Sequence, residues 1–166
     1  MSSSPTNLQV LKPSRRKPSA GDIFAMQLPD QSKLFGRVIG ADLQEFNQAP
    51  MPGAYLIYVY RHRARSLQPE RAELTPTELL LPPVFINTMP WTRGYFLTVD
   101  QRPLRPEDQL KQYCFWDAAR GIFVDEMHRT LPREIHPCGD WGLSSYRWID
   151  DQISDALGIP RVPEDN

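Results

Sequence analysis

Two cysteines in 166 residues are too few for a disulfide scaffold. Reduced thiols are the simpler expectation for Cys114 and Cys138, with a single bridge as the alternative. Histidine is scarce as well: His62, His128 and His136 include no pair at helical i, i+4 spacing. His136-Pro137-Cys138 has the composition of a metal-ligand pair, but a zinc site needs two more Cys or His at defined spacing, so no metal and no cofactor are expected. No G-x-S-x-G elbow, P-loop or G-x-G-x-x-G run occurs. The Gly36 to Gly40 spacing lacks the strand–turn–helix context that cradles phosphate. The longest apolar runs, residues 55–60 and 79–86, are too short to cross a bilayer. The polar start, Met1 to Pro5, is not followed by the apolar stretch of about 7–15 residues that a signal peptide requires. The expected location is therefore the cytoplasm. These absences leave no assembled catalytic centre, and no catalytic residue is assigned.

Proline is what the chain has in excess: 17 residues against nine glycines, about twice the usual share. So much proline cuts the chain into short pieces and argues against long helices. Four Trp, six Tyr and seven Phe suit a β-rich core and also a protein-binding surface. The net charge of −1 is unevenly spread. Residues 1–20 hold Lys12, Arg15, Arg16 and Lys17 and no acid, which makes +4 and leaves −5 for the remainder. An acidic body does not suit phosphate binding, so nucleic acid is not the favoured partner. It does suit a basic protein partner.

The segment GDIFAMQLPDQSKLFGRVIG, residues 21–40, reads as a strand, a four-residue turn and a return strand. Ile23, Ala25 and Gln27 fall on one face, Phe24, Met26 and Leu28 on the other. Pro29-Asp30-Gln31-Ser32 carries the turn chemistry. Gly36 and Gly40 inside the return strand signal a bulge, a bend or a close backbone approach. Residues 44–53 read as a loop, and AYLIYVY at 54–60 as a central strand buried on both faces. Thr75-Pro76-Thr77-Glu78 is a capping box predicting a short helical turn through Leu80, ended by Pro82-Pro83, with a strand resuming at Val84. Residues 94–99 form a further strand. Residues 113–116 and 122–125 form a hairpin. The one convincing helix spans about 144–157, capped by Ser144 or Ser145 and stopped by Gly158 and Pro160.

The organisation expected is a disordered or loosely docked basic arm (1–19), a single β-rich domain (20–160) and a short tail (161–166). The fold class expected is mostly β (α+β): a strongly curved antiparallel sheet forming an SH3-like partly open barrel, with a short helical turn and a C-terminal helix. Trp91 and Trp141 pose a choice between capping the core and anchoring a partner. The candidate partner-binding set is Trp91, Arg93, Tyr95 and Trp141, residue types over-represented at binding hot spots. Trp116 and Trp148 are assigned to hairpin and helix packing.

The opening hairpin resembles that of the immunity protein 26 family of bacterial polymorphic-toxin systems: a Gly-Asp-apolar strand, a turn, then an aromatic-Gly-Arg-apolar strand. Gln27-Leu28-Pro29 departs slightly from the family's order there. Residues 80–103 are similar too, with an apolar strand, a loop holding Trp91, a Gly-Tyr-Phe-Leu strand and Arg102-Pro103-Leu104. The resemblance covers most of residues 18–130. It implies a non-enzymatic protein that neutralises a cognate toxin by binding it. The competing reading is a small SH3-like-barrel endoribonuclease of toxin–antitoxin type, whose opening strands look alike. It would use Arg37, with Arg61 or Arg63, to hold phosphate.

Overall fold

The computed structural model describes residues 5–44 and 49–164. Part of the predicted loop (45–48) and the ends of the arm (1–4) and tail (165–166) lie outside the described residues.

The opening hairpin forms as β1 (Asp22–Gln27) and β2 (Lys33–Leu43), paired antiparallel from Ile23↔Arg37 to Gln27↔Lys33. In its turn the Asp30 carboxylate accepts from the Ser32 N–H at 2.9 Å, which is the local bonding that favours Asp there. The register with the next strand, β3 (Ala54–Ala64), shifts at Gly36 and Gly40, and bulges of this kind bend and twist a strand. Gly36 is also a close approach: a Cβ there would lie 2.2 Å from the Phe24 ring and 2.6 Å from the Tyr58 carbonyl oxygen. β3 is central, as its apolar run predicts, between β2 and β4 (Leu79–Ile86).

β4 corrects one expectation. Thr75 to Glu78 make a turn closed by the Glu78 N–H on the Thr75 carbonyl, 3.0 Å, without a helix. Pro82-Pro83 lie inside the strand rather than ending anything. The pairing with β3 is irregular beside them, between Ile57 and Tyr60, which is where a strand tolerates residues that lack an N–H. A four-residue helix, α1 (Met89–Thr92), precedes β5 (Leu97–Gln101). β6 (Cys114–Asp117) and β7 (Ile122–Val124) form the second hairpin, followed by β8 (Cys138–Asp140), β9 (Leu143–Ser144) and α2 (Tyr146–Leu157). Ser145 caps α2 by accepting from the Trp148 N–H at 3.1 Å, and Gly158 ends it.

The strands lie in two open sheets, ordered β5-β1-β2-β3-β4-β9 and β7-β6-β8. The α+β, mostly β class is therefore that of the structure, but no closed barrel forms among the described strands. The sheets are also mixed, because β9 joins β4 and β8 joins β6 in parallel. Both faces of the large sheet are covered. One buries Phe24, Met26, Ile57, Val59 and Ile86 with Trp91, Phe96 and Ile149 and Ile153 of α2. The other buries Ile23, Ala25, Tyr58, Tyr60 and Phe85 with Phe115 and Val124 of the small sheet. Three layers result: helix, large sheet, small sheet.

The N-terminal segment belongs to the helix layer. The N–H groups of Asn7 and Leu8 donate to the buried Asp150 carboxylate at 2.9 and 2.8 Å. Gln9 bridges to Gln27, Leu11 N–H reaches Gly94 O and Ser14 N–H reaches Trp91 O. Leu8 is 2% exposed. The disordered or loosely docked arm expected from its composition is thus tied down where it is described. One apolar side chain and a buried carboxylate on a distant helix supply what the arm's own sequence lacks.

Candidate functional site

The structure separates the four predicted binding residues. Trp91, on α1, is 2% exposed and packs edge-on against Phe24 and Phe96, at 5.3 and 5.0 Å between ring centroids. It is part of the core. Tyr95 is buried and stacks on Tyr146 of α2 at 5.2 Å. Arg93 is exposed, its guanidinium 5.4 Å from the same Tyr146 ring. Trp141 lies across the large sheet from these three, half-buried, its ring edge-on to Phe85 and Phe115 and stacked on His128 at 4.7 Å.

Trp141 lines a cleft of about 460 Å³ at the end of the small sheet, with Met51, Asp117, Arg120, His128 and Leu143. His128 Nε2 and an Asp117 carboxylate oxygen are 2.7 Å apart. That hydrogen bond holds the Asp117 carboxyl below the ordinary aspartate range. A carboxylate–imidazole pair of this kind fixes the ring's orientation, and no hydroxyl or thiol of the described residues lines the cleft beside it. The arrangement therefore orients the histidine ring against the indole and shapes an apolar-walled cleft.

The outer face of the small sheet is the more open surface. Trp116, given to hairpin packing by the sequence, is 37% exposed and the one aromatic among the large exposed apolar side chains of the described residues. The ladder sets Phe123 on one side of it and Asp140 on the other. The Phe123 ring lies 4.8 Å away. Alternation explains the outcome: in Cys-Phe-Trp-Asp, Phe115 takes the core side, so Trp116 must point outward. The backbone beneath is firmly held. Trp141 N–H donates to Trp116 O at 2.8 Å. Gly139 lets β8 press onto β4, since a Cβ there would sit 2.4 Å from the Pro83 carbonyl oxygen.

Three other groups of polar side chains lie apart from these surfaces. A cleft of about 590 Å³ is lined by Arg37, Arg71, Arg102 and Arg105. Yet Arg37 is 4% exposed, pairs with Asp108 at 3.4 Å and donates to Arg102 O at 3.1 Å. Arg71 is taken by Asp100, and Arg105 by Glu107 and Asp108. Burial pushes the Asp108 carboxyl up, but the hydrogen bonds from Arg105 and the charges of Arg37 and Arg105 outweigh it, and the net shift is downward. Cys138 sits opposite Cys114 in the β6–β8 ladder, and burial with that neighbour pushes its thiol far up, away from the reactive thiolate. The buried hydroxyls of Tyr58 and Tyr113, 2.5 Å apart, are likewise raised by burial.

A family model described as Immunity protein 26 matches residues 19–124, well over half of the chain. The chain belongs to the immunity protein 26 family. No curated protein and no solved structure matches it. Within the matched span lie the hairpin, β3 to β5, and β6 and β7 with Trp116 and Phe123. His128, Asp140 and Trp141 lie beyond it. No helix among the described residues is long and apolar enough to cross a membrane.

Proposed function

We propose that this member of the immunity protein 26 family binds a cognate toxin in the cytoplasm of the cell that makes both, and neutralises it by covering the toxin's active cleft. The observation that carries this reading is the family match over residues 19–124. Supporting it are an acidic body suited to a basic protein and an exposed aromatic surface on a rigid sheet. Binding, not catalysis, is the proposed work. The competing endoribonuclease needs Arg37 at phosphate, and that guanidinium is buried and committed to Asp108 and the Arg102 carbonyl.

The test is co-expression with the toxin domain encoded beside its gene. Growth should be restored, and the two proteins should purify together. Growth arrest that persists at equal expression would sink the reading. RNA cleavage by the pure protein, lost in a folded Arg37→Ala variant, would favour the endoribonuclease.

A further inference from the structure

We propose that the outer face of the small sheet docks the toxin, and that Trp116 and Asp140 together receive one of its basic side chains, an arginine or a lysine. The inference rests on the toxin-binding reading and says where and by what chemistry contact is made.

Ladder geometry comes first. Trp116 is the Cα partner of Phe123 on β7 and of Asp140 on β8, and partners across a ladder share a face. On the opposite face of the same strands, Phe115 is fully buried and Gly139 abuts the Pro83 carbonyl. Phe123, Trp116 and Asp140 therefore form one outward row. Phe123 supports the indole from the side and leaves it more than a third exposed.

Charge gives the occupant. Elsewhere, away from the core, Asp30, Asp100 and Asp155 are each paired with an arginine of the same chain. Asp140 is exposed, and its carboxylate makes no ion pair or hydrogen bond among the described residues. An open indole beside an unpaired carboxylate is the pairing that selects a cation: the ring face attracts it through its quadrupole, and the carboxylate neutralises it. An apolar partner side chain would leave Asp140 desolvated without compensation. The −5 carried by residues 21–166 favours the same sign of partner. Rigidity adds to affinity, since a strand held on both sides loses little entropy on binding.

The experiment titrates the full-length protein with the toxin domain encoded beside its gene, by calorimetry at low salt. Trp116→Ala and Asp140→Lys should each weaken Kd about tenfold or more. Met89→Ala, exposed on α1 in the helix layer, should not change it. Thermal melts establish that each variant is folded. Should Trp116→Ala unfold, Asp140→Lys decides alone, because its side chain holds nothing within the fold. Wild-type protein that binds while both variants bind within about twofold overturns this surface and leaves the toxin-binding reading standing. Wild-type protein that fails to bind overturns both. A wild-type homodimer that Trp116→Ala disperses makes the face a self-interface and overturns the proposal.

Discussion

A buried carboxylate on α2 holds the N-terminal segment. Asp150 accepts from two backbone N–H groups of the N-terminal segment, and Ser154 beside it accepts from the Asn7 amide at 2.8 Å. Burial pushes the Asp150 carboxyl above the ordinary value of 3.8, and those N–H bonds offset only part of the cost. With the folded value raised, its contribution to stability is largest below pH 3.8 and is lost as pH rises through the folded value. Asp150→Asn keeps an acceptor without the charge. The melting temperature of wild type, relative to that variant, should therefore fall between acid and neutral pH. A difference independent of pH would show that the charge carries no desolvation cost. None of this was legible from Asp150 itself, which in the sequence reads as one of several acids off the apolar stripe of a helix. Its partner lies more than a hundred residues away.

Among the elements, the opening hairpin was legible almost in full. Alternating apolar residues set both faces, Pro29 to Ser32 set the turn, and Gly36 and Gly40 marked the register shifts. Gly36→Ala tests the close approach: the added methyl meets the Phe24 ring and the Tyr58 carbonyl together, and backbone cannot step aside as a long side chain can. The expected loss is about 3 kcal/mol in denaturant unfolding. A loss under about 0.5 kcal/mol, the level of an ordinary surface substitution, would mean that β2 can flatten. The α2 helix was equally readable from its cap and stop. Residues 75–86 were not, because a capping box and a proline pair are local signals. Pairing with central β3 overrode them, drawing the prolines into a strand.

At the scale of the whole molecule, charge and layering act together. If the acidic body steers a basic partner, association with the toxin domain should slow about tenfold from low salt to about 0.5 M. Dissociation should change much less, because it depends on contacts already formed. Stopped-flow measurement of both rates would show it, and an association rate indifferent to salt would remove steering from the account. The surface proposed for docking lies on the far side of the large sheet from α2 and the N-terminal segment.

Composition and periodicity by themselves determined the class, the opening hairpin, the central strand and the terminal helix, because each depends on neighbours in sequence. The family was legible only by resemblance, through the motifs of the opening hairpin and of residues 80–103. The tertiary structure alone decided which tryptophan faces solvent. Trp91 falls between Phe24 and Phe96 on the inner side of α1, while Trp116 alternates outward from a strand whose other face is needed for the core. It also decided that the basic arm is held, since the groups that hold it come from the other end of the chain.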